Sequence, residues 1–483
     1  MEYVYMDNKK TYQMPDLKQA ARRTRGVTEI ETDLFKLPDE AKHLGDGKKY
    51  LVRTFGCQAN VRDGETICGI LESMGYSACD EPIDADVVVF NTCAIRRAAE
   101  EHVLGEIGAL KIMKHEHPEK IFCLCGCMAQ EESVVKEILK TYKQIDIIFG
   151  THNIYRLPQL LLAYVASHEP TVEVFSKEGE VIEDLPVKRT DDFKAFVDIM
   201  YGCNKFCTYC IVPYTRGKER SRRVSDIVAE VEQLKASGCK EVILLGQNVN
   251  AYGKDLGMED GFTSLLERIA ETGIDRIRFY TSHPRDYSRT TILAMKKYPN
   301  IMKSLHLPVQ SGNDEVLRCM ARGYTAESYK QLVDDMKREI PEITFTTDII
   351  VGFPGETEEQ FQDTMDLVDY CKFDSAFTFV YSPRSGTPAA GFEDPISLEE
   401  KKDRLHRLNE KVSHYGYESN KKFLGKTVRV LCEGPSKRNP ETYSGYSEEN
   451  KLVNFKGPKG LKGQIVEVKI TEVHSFSLDG EVI

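Results

Sequence analysis

Three cysteines stand within one short loop in the stretch YGCNKFCTYC: Cys203, Cys207 and Cys210. Thiolates at this C-x3-C-x2-C spacing suit a soft metal centre. A structural zinc site closes its tetrahedron with a fourth protein ligand. Here that ligand would have to come from afar, with His283 or His306 as the candidates. A cubane iron–sulfur cluster held by three thiolates instead leaves one iron open to a small molecule. The aromatic residues of the loop, Phe206 and Tyr209, and its position directly after a strand-like run favour the cluster.

A second set is dispersed. Cys57, Cys93 and Cys127 close the apolar runs YLVRTFGC, DVVVFNTC and KIFCLCGC, and each run precedes a helical pattern. Strands alternating with helices predict a parallel sheet. Ligands gather outside the carboxyl ends of such strands, so three thiolates distant in sequence can converge there. The plain alternative is ordinary core cysteine. Cys123 and Cys125 alternate along their strand as core residues would, and Cys125 rivals Cys127 as a ligand. Cys127 is preferred because it follows Gly126 as Cys57 follows Gly56. Cys68, Cys79, Cys239, Cys319, Cys371 and Cys432 stand singly and read as small buried hydrophobes.

The elements that must position these residues follow from the pattern of the 483 residues. Hydrophobic content of 41% and charged content of 29% fit a globular chain, and its longest apolar run is too short to span a bilayer. Fourteen cysteines without a secretory signal argue for metal ligation in a reducing compartment, and a cytoplasmic address is expected. Residues 1–48 read as a polar extension, 49–166 as a Rossmann-like parallel α/β domain, and 167–188 as a charged linker with room for one hairpin. Residues 189–419 hold six strand–helix units, two short of a closed barrel, so a partial (βα)6 barrel with chemistry at its C-terminal strand ends is expected. Residues 422–483 carry short strands between Gly, Pro and Asn turns, the pattern of a small all-β barrel.

These residues together resemble a family. The CNKFCTYC loop opening a βα barrel is similar to the radical S-adenosylmethionine (SAM) superfamily. TFGCQAN, FNTCAIR and GCMAQ upstream of it resemble the methylthiotransferases, and the last domain resembles a TRAM module. GQNVNAYG and the YGCN opening are most similar to the branch acting on N6-(dimethylallyl)adenosine at position 37 of tRNA. The resemblance implies two [4Fe-4S] clusters, an auxiliary one on Cys57, Cys93 and Cys127 and a radical one on Cys203, Cys207 and Cys210. It implies two SAM molecules per turnover: one methylates cluster-bound sulfur, and the other yields the 5′-deoxyadenosyl radical that takes hydrogen from C2 of the adenine. A radical is needed because no side-chain base can remove that hydrogen as a proton at neutral pH. No catalytic residue beyond the cluster ligands is assigned. The implied partners are a tRNA anticodon stem-loop carrying isopentenylated adenosine and a flavodoxin- or ferredoxin-like electron donor; a monomer without membrane contact is expected.

Tyr209, Gly246, Gln247, Asn248, Gln310 and Asp348 lie in the loop or at expected strand ends and are the candidates for contact with SAM. YTRGKERSRR gathers Arg216, Lys218, Arg220, Arg222 and Arg223 into a basic rim suited to an RNA backbone, although a solvated helix start would look the same. The net charge of −11 requires such local gathering. Two alternatives remain: a sister methylthiotransferase acting on threonylcarbamoyladenosine in tRNA or on a ribosomal-protein aspartate, and a non-enzymatic zinc or iron–sulfur RNA-binding module.

Overall fold

A computed structural model describes residues 4–5, 31–94, 97–175, 180–436 and 439–483. Ile95 and Arg96 of the second cysteine motif and most of the expected N-terminal extension lie outside them. The chain divides into two compact units. The first comprises residues 1–190, 200–206 and 210–222; the second comprises 191–199, 207–209 and 223–483.

The first unit is built on a seven-stranded parallel sheet. Its centre is β1 (Lys49–Thr54), β2 (Val87–Thr92), β3 (Ile121–Gly126) and β4 (Ile147–Phe149), paired in that order. β2 and β3 are buried at every position, as parallel strands covered on both faces must be. On one face Val87, Val89, Cys123, Cys125 and Phe149 pack under the helices Gln58–Ser73 and Leu157–Ser167. On the other, Val88, Phe90, Phe122 and Ile148 pack against Val103, Ile107, Val135 and Ile138.

The short edge strands differ from the sequence-based expectation. Thr171–Glu173, placed in the linker, pairs in parallel with β4, and Val4–Tyr5 extends the sheet beyond it. Glu180–Glu183 forms no hairpin with it; it pairs in parallel with Glu31–Leu34. The extension and the linker therefore complete each other, a pairing that neither segment signals alone.

The second unit contains all six expected barrel strands. β5 (Lys194–Asp198), β6 (Glu241–Leu245) and β7 (Arg276–Phe279) are parallel neighbours, as are β8 (Ser304–His306), β9 (Thr344–Val351) and β10 (Ser375–Val380). A parallel bridge from Ile277 to Ile301 joins the two sets. Among the described residues β5 pairs only with β6, and β10 only with β9, so the barrel is open. Helices begin where the sequence offers caps: Thr325 and Thr357 each form a capping box for Ala326–Glu339 and Glu358–Cys371.

The helix Leu398–Lys421 leads into a closed five-stranded barrel of Thr427–Pro435, Tyr443–Ser447, Leu452–Lys456, Ile465–Val473 and Leu478–Val482. Its core holds Val430, Cys432, Val453, Phe455, Val468 and Leu478. This module covers the N-terminal ends of the large barrel's strands. Arg276 donates to the carbonyls of Tyr446 (2.9 Å) and Arg429 (2.8 Å). Arg278 reaches the carbonyl of Glu448 (3.2 Å), Thr344 that of Glu449 (2.7 Å), and Lys451 pairs with Asp374 (2.7 Å). Lys194 pairs with Glu433.

Candidate functional site

Cys57, Cys93 and Cys127 follow the carboxyl ends of the adjacent strands β1, β2 and β3. Each turn depends on a local device. Gly56 has φ 124°, and a Cβ there would lie 2.5 Å from the Cβ of Cys93. Gly126 has φ 91°, and its Cβ would meet the carbonyl oxygen of Thr92 at 2.3 Å. Only glycine tolerates both the conformation and the approach. Asn60 and Asn91 then tie two of the loops together. The Asn60 amide donates to the carbonyl of Thr92 (2.7 Å), and the Asn91 amide donates to that of Asn60 (2.7 Å). Both asparagines lie inside the cysteine motifs, TFGCQAN and FNTCAIR, where no local pattern signals their pairing.

The electrostatics agree with convergence. Burial pushes the Cys127 thiol up to about 11; Arg216 pulls it down, while Cys57 and Cys93 push it further up. Cys125 is different: it lies inside β3 with its side chain in the core beneath Gln58–Ser73, and burial raises its thiol strongly. The left-handed turn at Gly126, which ends the strand before Cys127, thus separates the two rivals. Cys127 instead packs with Ala94, Ile211 and Tyr214, neighbours in sequence of Cys93 and Cys210.

Within the first unit Cys203 is held in a reciprocal turn. Its amide donates to the carbonyl of Gly217 (3.0 Å), and Asn204 and Glu219 exchange backbone-to-side-chain bonds of 3.1 and 3.2 Å. The backbone of Met200–Tyr201 pairs with Arg220–Ser221. Cys207 belongs to the second unit, where the Arg322 guanidinium donates to its sulfur (3.4 Å), to the Tyr209 hydroxyl (3.4 Å) and to the carbonyl of Pro308 (2.9 Å). Burial opposes the charge on Arg322, but Tyr209, Tyr324 and Cys207 hold its pKa well above normal. No sequence signal singles out Arg322, which lies 115 residues from its thiol partner.

The expected basic rim is largely internal. Arg216, Lys218, Arg220 and Arg222 are buried. Arg216 pairs with Asp63 on the helix Gln58–Ser73 (2.6 Å), and Arg222 holds Glu183 through two bonds of 2.8 and 2.6 Å. Arg223 alone of the five is exposed, paired with Asp226 (2.8 Å). Alternating charges in RGKERSRR look solvated in sequence, yet their carboxylate partners come from distant elements of the same unit.

At the C-terminal ends of β6 to β8 several buried polar atoms lack a protein partner: Oδ1 of Asn248, Nδ2 of Asn250, Oγ of Ser282 and Oε1 of Gln310. Gln310 (φ 71°) and Thr281 (φ 62°) hold left-handed backbone there, a strain that concentrates at ligand sites. The carbonyl of Gly246 accepts from Thr281 (2.8 Å), and the Asn248 amide donates to Asp286 (2.8 Å). Gln247 follows β6 in the same turn, and Tyr209 packs with Val316, Met320, Phe353 and Tyr381. Asp348 departs from its expected place: it lies inside β9, three residues before the strand ends, facing His306. Orphaned donors and acceptors at strand ends fit a polar ligand such as SAM.

Comparison with known proteins supplies the remaining observations. The radical SAM superfamily matches residues 197–368, the uncharacterized protein family UPF0004 residues 49–150, and the TRAM domain residues 421–483. A tRNA-2-methylthio-N(6)-dimethylallyladenosine synthase of Bacillus cytotoxicus is 53% identical, covering 98% of this chain and 93% of that protein. A protein of the same name from Anoxybacillus flavithermus is also 53% identical, covering 97% and 89%. Among solved structures, the radical SAM methyltransferase TsrM of Kitasatospora setae matches with a TM-score of 0.50 and 15% identity, covering 71% of this chain and 74% of that one. This last likeness is one of fold alone.

Proposed function

The chain belongs to the family of tRNA-2-methylthio-N(6)-dimethylallyladenosine synthases, and from that premise we propose that it adds a methylthio group to C2 of N6-(dimethylallyl)adenosine in tRNA. Cys57, Cys93 and Cys127 would hold the auxiliary [4Fe-4S] cluster, and Cys203, Cys207 and Cys210 the radical one. When bound, the clusters and SAM supply a sulfur carrier and the one-electron chemistry that an unactivated C–H bond demands.

The chain's own residues have narrower tasks. Gly56 and Gly126 let the loops turn, and Asn60 and Asn91 hold two of them at a fixed separation. Arg216, anchored by Asp63, offsets the negative charge that three thiolates bring into a buried site. Arg322 does the same for Cys207 while orienting Tyr209. Gly246, Gln247, Asn248 and Gln310 present backbone and side-chain groups to SAM. Arg223 and the TRAM barrel offer surfaces to RNA. A flavodoxin- or ferredoxin-like donor and a monomeric cytoplasmic enzyme complete the reading.

The single observation that carries it is the arrangement of Cys57, Cys93 and Cys127 at three neighbouring strand ends, with Cys127 packed against Ile211 beside Cys210. The test is mass spectrometry of tRNA nucleosides from a strain lacking the gene. The 2-methylthio-dimethylallyl nucleoside should vanish and its unthiolated precursor accumulate; persistence of the former overturns the assignment. Anaerobically purified protein that is colourless and zinc-loaded would favour the non-enzymatic module instead.

A further inference from the structure

The large barrel has an inner wall that, of the SAM candidates, holds Asp348 alone. Along β8, β9 and β10 the strand register puts His306, Asp348, Ile350, Phe377 and Phe379 on one face. The opposite face carries Leu305, Phe345, Thr347, Ile349 and Val351, all buried on the helix side. Inside the barrel, Phe377 is 56% and Phe379 38% exposed. Single exposed phenylalanines are unremarkable, but two in succession on one strand face, in a concave setting, mark a binding surface.

The wall has polar neighbours of definite placement. Nε2 of His306 lies 3.4 Å from Oδ2 of Asp348, and its ring meets Phe377 edge-on at 6.0 Å. Ile350, farther along the same face, joins the cluster that contains Tyr209, so the wall is continuous with the loop beside Cys207. The N-terminal mouth is covered by the TRAM barrel, through Arg276, Arg278 and Thr344. A ligand must therefore enter from the C-terminal end or through the gap between β5 and β10.

We propose that this wall is the subsite for the N6 tail of the target nucleoside: Phe377 and Phe379 take the branched, apolar dimethylallyl group, and the His306–Asp348 pair meets the polar edge of the adenine. The occupant is the nucleoside named under the proposed function, so the inference rests on that reading. Charge selects this occupant. A dimethylallyl tail gains from aromatic surface and carries no charge. A threonylcarbamoyl tail ends in a carboxylate, which Asp348 would repel and the phenyl rings could not solvate. The wall thus also separates this chain's substrate from that of the sister enzymes. Asp348, expected at the SAM site, has its place here.

The test uses the reconstituted full-length chain and two synthetic anticodon stem-loops, identical except that one adenosine bears either a dimethylallyl group or a bare amino group. Binding of each is read by fluorescence anisotropy. The unaltered chain should prefer the prenylated RNA by roughly tenfold or more, the scale on which an apolar pocket discriminates. In Phe377→Ala/Phe379→Ala the two affinities should come within about twofold of one another, while Phe377→Leu keeps most of the preference. Iron content and melting temperature report whether each variant is intact. If the double variant does not fold, Phe377→Asp at the more exposed position serves instead, and it should abolish the preference.

Undiminished preference in an intact double variant, or in Phe377→Asp, overturns the subsite. An unaltered chain that methylthiolates the prenylated RNA yet binds both RNAs equally overturns the subsite and leaves the function standing. A chain that yields no methylthio nucleoside overturns both.

Discussion

The Arg322 guanidinium lies 3.4 Å from the sulfur of Cys207 and, with the proposed radical cluster bound there, would act on the charge that the cluster gains when reduced. Hydrogen bonds to cluster sulfurs raise reduction potential. Arg322→Gln should therefore lower the midpoint of the radical cluster by tens of millivolts, each tenfold change in the one-electron equilibrium being about 59 mV. Electron paramagnetic resonance under a fixed reductant should show less reduced cluster with iron content unchanged. At Cys57 the expectation divides two activities. Cys57→Ala should lose about half of the iron and all methylthio product, yet still cleave SAM to 5′-deoxyadenosine, measured by chromatography. The strand-end placement of Cys57, Cys93 and Cys127 was legible because each closes an apolar run before a helical pattern. Arg322 was not legible, because nothing near it in sequence reports a contact made across the barrel unit.

Turns between elements decide where those thiols go. Gly126→Ala would force a side chain into left-handed backbone and against the Thr92 carbonyl, 2.3 Å away. A loss of more than about 2 kcal/mol is expected from urea unfolding, with iron falling at the auxiliary site. Thr357→Ala removes a capping box from an exposed helix start and should cost about 1 kcal/mol without changing iron content. The element pattern was readable where apolar runs are long, as in DVVVFN and TFTTDIIV. It misled where strands are short and mixed in charge. Glu180–Glu183 owes its place to Glu31–Leu34, nearly 150 residues earlier, and such pairing leaves no local trace. RGKERSRR misled for the converse reason: charge suggests solvent, but Asp63 and Glu183 neutralise two of its arginines inside the unit.

At the scale of the whole molecule, the large barrel and the TRAM barrel meet through buried arginines. Burial lowers the Arg276 guanidinium to about 10, with Glu241 opposing the shift, and two TRAM carbonyls solvate it. Arg276→Ala leaves those carbonyls unmet and should cost about 3 kcal/mol. Calorimetry of the full chain should then resolve one more melting transition than in the unaltered protein. The sequence placed both barrels correctly in type. It held no sign of their mutual packing, because Arg276 and Arg278 read as ordinary alternating charges in RIRF.

That packing changes how a shortened chain should be understood. Stopping translation before Thr427 would look like a clean removal of RNA affinity, yet it would also bare the floor of the catalytic vessel to water and strand Arg276 and Arg278 without their carbonyls. An inactive truncation would then speak of a leaking, destabilised reaction chamber as much as of a missing grip on tRNA.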